Sequence, residues 1–159
     1  FVLIRRATTL IQADHWADDE VLSTVTLAYE DRHRRRIKME DDDGSAFLLD
    51  LAEAKQLEEG DALLLEEGGV IAVRAADEDV LDIRCETTAE TARIAWHIGN
   101  RHTPVQVLAD GGLRIIYDHV LQHMVEGLGA STTHKSAPFS PEQGAYVGAK
   151  KSHGHSHDH

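Results

Sequence analysis

The first half of the chain shows the period-two pattern of half-buried strands. Within 21–29, Val25, Leu27 and Tyr29 recur at every second position, which is the spacing of one buried strand face. Further short apolar runs, bounded by turn signals, lie at 1–4, 37–39, 46–49, 62–65 and 70–74. The pattern predicts a mostly antiparallel domain of five or six short strands, with one or two helical turns at 52–57.

Beyond residue 79 the pattern alternates between strands and helices. Thr87 and Glu90 form a capping box that opens one helix, Gly99 is predicted to end it, and Asp118 caps a second helix. The predicted strands are 80–85, 104–108, 113–117 and 131–137, and the predicted helices are 88–98 and 119–128. The apolar stripe of the second helix comprises Val120, Leu121, Met124, Val125 and Leu128. Two consecutive strand–helix–strand units predict a ferredoxin-like βαββαβ sandwich.

These patterns predict an α+β fold in three segments. Residues 1–76 form a small N-terminal antiparallel β domain, and residues 77–138 form the C-terminal ferredoxin-like domain. Residues 139–159 form a flexible arm and a disordered histidine-rich tail. The composition changes near 75–79, which is the predicted linker.

The end of the chain has the composition of a metal-chelating tail. It contains no apolar residue, and imidazoles alternate with small or acidic residues at His153, His155, His157 and His159. Such a segment cannot form a core, but it suits a borderline transition metal such as nickel, copper, zinc or cobalt. The alternative is an expression tag, although a tag is usually an uninterrupted run of histidines and this segment follows a natural-looking Lys150-Lys151.

Charge argues against nucleic acid and anionic membranes as partners. The 159 residues carry a net charge of −12, whereas both partners need a cationic surface. The basic run 32–36 has no interleaved aromatic residue and is followed by Asp41, Asp42 and Asp43. It is therefore interpreted as part of a hairpin with oppositely charged strands. The acidic residues are compatible with cation handling, and equally with simple solubility.

The single cysteine, Cys85, excludes an intramolecular disulfide and is expected to be a small buried residue. No stretch of about eighteen apolar residues and no charged-then-apolar leader is present. A soluble, cytoplasmic protein is expected. No nucleophile–base pair, phosphate-binding glycine loop or catalytic carboxylate motif occurs, so the chain is not expected to be an enzyme.

Two internal histidine positions are candidates for metal binding. His102 lies on a short loop between Gly99 and Pro104, where a twofold axis would supply a second imidazole. The alternative is a surface histidine that suits the dipole at a helix end. His119 and His123 are four residues apart on one helix face, a spacing that can chelate a metal but also arises by chance.

Several motifs together resemble the UreE-type urease accessory proteins. They are Gly99-Asn100-Arg101-His102-x-Pro104, then Asp118-His119-Val120-Leu121 with Met124, Leu128 and Gly129, then the segment 139–146 and the histidine-rich end. The motifs occur in the family's order. The resemblance covers the second domain and the tail, whereas the first half matches only as a generic small β domain.

The resemblance implies a homodimeric nickel metallochaperone for assembly of the urease active site. It implies that His102 of both protomers shares a metal at the dimer interface, supplemented by the tail histidines. It further implies a partner-docking, peptide-binding role for the first domain, with the urease-maturation GTPase as chief partner and the urease apoprotein complex as the destination. Imidazoles alone do not select Ni(II), and Zn(II) or Cu(II) is also expected to bind.

Two features differ from some relatives. Tyr117 stands where some carry a histidine before Asp118-His119, and the tail has only four histidines. Few metal ions per dimer are therefore expected. The alternative functions are a histidine-based metal buffer or detoxification protein, and a protein-interaction module with an incidental tail. A metalloenzyme is disfavoured because no general base is identifiable.

Overall fold

The computed structural model describes residues 4–17 and 20–144. Within them the chain forms two β-sheets, two α-helices and, at Tyr29–Asp31, a 3-10 turn. The strands are β1 (Arg5–Ile11), β2 (Val21–Leu27), β3 (His33–Glu40), β4 (Ala46–Gln56), β5 (Ala62–Leu65), β6 (Val70–Ala75), β7 (Asp77–Arg84), β8 (Gln106–Val107), β9 (Leu113–Ile116) and β10 (Ser131–Pro138). The helices are α1 (Thr88–Asn100) and α2 (His119–Gly127).

The first domain is a six-stranded sheet in the order β2-β6-β5-β1-β4-β3. It is mixed rather than purely antiparallel, because β1 pairs with β4 and β2 pairs with β6 in parallel. Its core consists of apolar side chains from all six strands together with the loop residue Leu57: Ala7, Val25, Met39, Phe47, Leu49, Leu51, Leu57, Leu63, Leu65, Ile71 and Val73.

The helical turns predicted at 52–57 are wrong. β4 continues as a strand to Gln56, which lies opposite His33, while Lys55 lies opposite Arg34. Helix-favouring residues in this segment are thus held extended by pairing with β3, because cross-strand hydrogen bonds outweigh a weak local propensity.

Strand β1 was missed, and it occupies the interior of the sheet between β5 and β4. The predicted run at 1–4 covers residues 1–3, which lie outside the described residues, and Ile4 precedes the strand. β1 has little apolar character because it begins with two arginines. Arg5 donates to Asp41 at 2.8 Å and Arg6 donates to Asp50 at 2.9 Å. The start of the strand is thus held by polar contacts with distant residues, and the apolar alternation that usually reveals a strand is missing there.

The second domain confirms the ferredoxin-like prediction and the α+β class. Its four strands are antiparallel in the order β10-β7-β9-β8, and α1 and α2 connect them in a βαββαβ sequence. The helices and the sheet share a separate core: Leu81, Ile83, Ile94, Ile98, Leu113, Ile115, Leu121, Val125 and Ala130. The connection predicted at 75–79 is shorter in the structure, since β7 begins at Asp77 and only Ala76 separates it from β6.

The chain after β10 is packed rather than detached as far as it is described. Residues 139–144 form no helix or strand, yet Phe139 is fully buried beside Val80 and Ala137. The flexible arm expected from residue 139 is therefore in contact with the protein up to Gly144. Residues 145–159, with the four tail histidines, lie outside the described residues.

Candidate metal site

His102 is held at the end of α1 in a left-handed conformation. The predicted cap is present at the start of this helix, where the Thr87 side chain accepts from the Glu90 amide at 3.1 Å. The predicted stop at Gly99 is wrong, because the helix continues to Asn100. The left-handed residue is His102, with a φ of 57°.

Two backbone hydrogen bonds define this turn. The His102 amide donates to the Gly99 carbonyl at 2.9 Å, and the Thr103 amide donates to the Ile98 carbonyl at 3.3 Å. This is the Schellman pattern, in which the left-handed position is normally glycine. A side chain there costs energy, and such costs are concentrated at functional positions. The exposed imidazole is thus presented from a defined backbone rather than from a loose loop.

The face of α1 that precedes His102 is apolar and uncovered. Ala92, Trp96 and Gly99 follow one another at helical spacing and are exposed, and Trp96 is 63% exposed. Ile94 and Ile98, on the other side of the helix, are buried in the core. Sequence reasoning missed this face, although the position of Trp96 between two inward-facing isoleucines was a signal for it.

His119 and His123 lie exposed on α2. The predicted cap is present, because the Asp118 carboxylate accepts from the amides of Val120 and Leu121 at 2.8 and 3.0 Å. The predicted apolar stripe is only partly buried: Leu121 is in the core, whereas Val120 and Leu128 are exposed. The reason is that Val120 and its neighbour Leu121 point about 100° apart on the helix, and Leu128 follows the last helical residue, Gly127.

His134, which is exposed on β10, has partners of its own. Its Nε2 is hydrogen-bonded to the Asp79 carboxylate, and its ring stacks on Tyr117 with the centroids 3.7 Å apart. In the sheet, β7 lies between β10 and β9, and this arrangement brings Asp79, Tyr117 and His134 together. Tyr117 thus covers an imidazole.

The sheet of the second domain contains a buried ion pair between Arg114 and Asp82. Arg114 donates through Nε and Nη2 to the two carboxylate oxygens of Asp82, at 2.6 and 2.9 Å. This hydrogen bonding lowers the pKa of Asp82, although burial opposes the shift. The pair is internally satisfied and is therefore a poor metal ligand.

One protomer does not assemble a metal site within 4–17 and 20–144. No group of three or more histidine, cysteine, aspartate or glutamate side chains lies close enough there to hold an ion. Cys85 is half-buried rather than buried. Since a transition metal takes four or more donors, a site at His102 needs donors beyond the described residues of a single chain.

Comparison with known proteins assigns both halves of the chain to one family. The family model for the N-terminal domain of the UreE urease accessory protein matches residues 4–76, and the model for the C-terminal domain matches residues 78–159. The chain belongs to the UreE family.

Relatives in several bacteria support the same assignment over most of the chain. The urease accessory protein UreE of Rhodopseudomonas palustris (strain BisB18) is 49% identical over 151 residues, which are 94% of this chain and 71% of the relative. The UreE proteins of Chelativorans sp. (strain BNC1) and Ruegeria pomeroyi are 47% and 46% identical, and the matches span 92% and 91% of those proteins. The family is named for an accessory role and not for a catalytic activity. None of the described helices has both the length and the apolar character needed to cross a bilayer.

Proposed function

We propose that this chain is a metallochaperone that carries Ni(II) and delivers it during maturation of the urease metallocentre. Membership of the UreE family supports the role in urease maturation. The observation that carries the nickel site is His102, an exposed imidazole held in the left-handed conformation at the end of α1. That conformation is unfavourable for a non-glycine residue, so the imidazole has a use that glycine would not provide.

The protein acts as a homodimer through the exposed face of α1. A tryptophan that is 63% exposed, beside the small residues Ala92 and Gly99, favours close packing against a matching surface. In a twofold interface the same patch meets itself, so the residue that follows the patch is presented twice. This arrangement brings the two copies of His102 to one shared ion.

The tail histidines His153, His155, His157 and His159 complete the ligand set. Nickel is cargo here, so the donors must exchange as well as bind. Neutral imidazoles on separate segments leave one at a time, whereas an all-thiolate cage would retain softer metals. His119 forms at most an accessory site, because Tyr117 is not a donor of the same kind. Zn(II) and Cu(II) bind the same imidazoles.

The recipient is the urease-maturation GTPase, which passes nickel to the urease apoprotein complex in the cytoplasm. Residues 1–76 serve as the partner- or peptide-binding domain, residues 77–138 bind metal and dimerise, and residues 139–159 supply the arm and tail. Nucleic acid and membranes are not partners, since the net charge is −12.

Nickel titration by calorimetry, with native mass spectrometry of the loaded assembly, tests this function. The wild type is expected to bind one high-affinity ion per dimer. His102→Ala is expected to abolish that site, and deletion of residues 153–159 to weaken it. His33→Ala, an exposed histidine of the first domain, is the matched control and leaves binding unchanged. If neither His102→Ala nor the tail deletion alters nickel binding, the metallochaperone assignment is wrong and a protein-interaction module remains.

A transfer assay separates a carrier from a metal buffer. Nickel-loaded protein is mixed with the metal-free GTPase, and the metal content of each is measured after separation. Transfer that depends on direct contact supports the carrier. A high stoichiometry without complex formation supports the buffer instead.

A further inference from the structure

Residues 139–144, here called the strap, run along the edge of the second sheet. The Glu142 amide donates to the Val105 carbonyl at 2.8 Å, and the Glu142 side chain accepts from the Val107 amide at 3.1 Å. The Ser140 amide donates to the Gln106 side chain at 3.0 Å. Because β8 is the last strand of this sheet, the strap satisfies polar groups of an otherwise open edge.

The other side of the strap is held by the first domain. The guanidinium of Arg32 donates to the Phe139 carbonyl and, at 3.4 Å, to the Ser140 hydroxyl. Phe139 is fully buried and meets the Tyr29 ring edge-on, with the centroids 5.5 Å apart. Gln143 donates to Glu58 at 2.7 Å. The six-residue strap as a whole therefore contacts both domains.

Arg32 depends on the strap for its hydrogen bonds. It is fully buried, and in the described part of the chain its guanidinium has no carboxylate partner within ion-pair distance; Nε has no acceptor there either. Both acceptors of the guanidinium come from the strap, and the Tyr29 ring lies 5.8 Å away. A buried guanidinium that loses its acceptors is costly. Detachment of the strap would therefore leave a buried cation unsatisfied.

We infer that Arg32 is a positioning residue that fixes the strap and, through it, the loop that carries His102. Val105, which accepts from the strap, is three residues beyond His102. The first domain thereby sets the position of the metal-presenting loop and of the point where the tail begins. The effect of Arg32 on the metal site rests on the proposed function, whereas its attachment of the strap does not.

Hydrogen exchange of the full-length, metal-free protein tests the attachment. In Arg32→Ala the protection of the Glu142 and Val107 amides is expected to fall about tenfold or more, because a charge-assisted hydrogen bond is lost. Amides of β7, such as that of Leu81, should keep their protection. Arg36→Ala is the matched control: it removes an arginine from β3, the strand that follows Arg32, but Arg36 is exposed and its ion pair in the described part of the chain is a long one, with Asp50 at 3.9 Å.

Arg32→Lys is a second variant, which tests the inference if Arg32→Ala disturbs the sheet of the first domain. A lysine retains the charge but cannot reproduce the planar fork of a guanidinium, so an intermediate loss of protection at Glu142 is expected while the first sheet stays protected. Unchanged protection of Glu142 and Val107 in both variants would overturn the inference.

A nickel titration of Arg32→Lys tests the step to the metal site. This variant is expected to bind nickel severalfold more weakly than the wild type, whereas the control Arg36→Ala should bind it unchanged. Equal nickel affinity of Arg32→Lys and the wild type refutes the link between Arg32 and the loop. Because the exchange experiment uses no metal, failure of the nickel assignment would leave its outcome untouched.

Discussion

The two domains differ in what their polar side chains leave exposed. In the first domain, acidic and basic residues are bonded within the sheet: Asp41 is buried and accepts from Arg5 and Ser23, and Asp50 accepts from Arg6. The second domain also has an ion pair within its sheet, between Arg114 and Asp82, but the imidazoles of His102, His119 and His123 are exposed.

This contrast shows why net charge is a poor guide to the location of a cation site. The Arg5 guanidinium, helped by the Ser23 hydroxyl, lowers the pKa of Asp41 to about 2. The predicted hairpin is formed by β3 and β4, and Arg36 lies opposite Asp50 across it. Asp41 itself lies in the turn between the two strands, where it accepts from Arg5 of β1, rather than on a strand opposite the basic run. The acidic side chains of the first domain stabilise its fold, whereas the exposed imidazoles considered as metal ligands lie in the second domain.

The largest expected effect is a response to pH that differs between the two domains. Lowering the pH from 7 to 5.5 should weaken nickel binding roughly seventyfold if two imidazoles ligate, since free imidazoles titrate near pH 6.5. The Asp41 carboxylate has a lowered pKa, so its contribution to stability is present above about pH 4 and is lost only as the pH falls toward 2. Calorimetry should therefore show a loss of affinity while circular dichroism shows an unchanged fold. Constant affinity over this range would argue against histidine ligation.

The next effect concerns exposed apolar residues. Trp96→Ala should weaken dimerisation by about 2 kcal/mol or more, because a central tryptophan is a typical interface anchor. Leu22→Ala, which removes a side chain that is 60% exposed in the first domain, should leave dimerisation unchanged. Analytical ultracentrifugation over a concentration series measures both. If Trp96→Ala and Leu22→Ala dimerise with the same affinity, the exposed face of α1 is not distinguished from the surface of the first domain.

A somewhat smaller effect is expected on the stability of the first domain. Asp41→Asn should destabilise it by about 2 kcal/mol, since hydrogen bonds to a charged acceptor are lost. Asp43→Asn, in the same turn but exposed, should change stability by less than about 0.5 kcal/mol. Urea unfolding measures both variants. Nickel affinity should be unaffected in each, and a loss of affinity in Asp41→Asn would show that the acidic residues of the first domain take part in binding.

The smallest expected effect belongs to α2. His119→Ala should reduce nickel binding slightly, and less than His102→Ala, because Tyr117 supplies no second imidazole beside it. His123→Ala, one turn further along the helix, serves as the comparison. Competition titrations with a coloured chelator resolve such differences, and indistinguishable variants would exclude a specific accessory site.

Local signals in the sequence were reliable where the hydrogen bonds are local. The caps at Thr87 and Asp118 are formed as predicted, since donor and acceptor are two or three residues apart. Predictions failed where a distant partner decides. Strand β1 and the end of β4 depend on pairing with other strands, and no pattern within either segment specifies that pairing.

The candidate site shows the same division. The sequence identified His102 and its place after a helix, but it assigned the end of that helix to Gly99 rather than to a left-handed His102. The tail histidines remain a prediction. Trp96 and Arg32 were not recognised, because the first required the orientation of α1 on the sheet and the second required contact between segments more than a hundred positions apart.

By itself, the sequence determined the kinds of donor available, the two cores and the helix caps, because composition, periodicity and capping act over a few residues. The tertiary structure alone decided which charges are consumed inside a sheet and which imidazoles stay exposed. It also placed the strap between the domains. These outcomes depend on hydrogen bonds between residues far apart in the chain, whose register is set only when the sheets assemble.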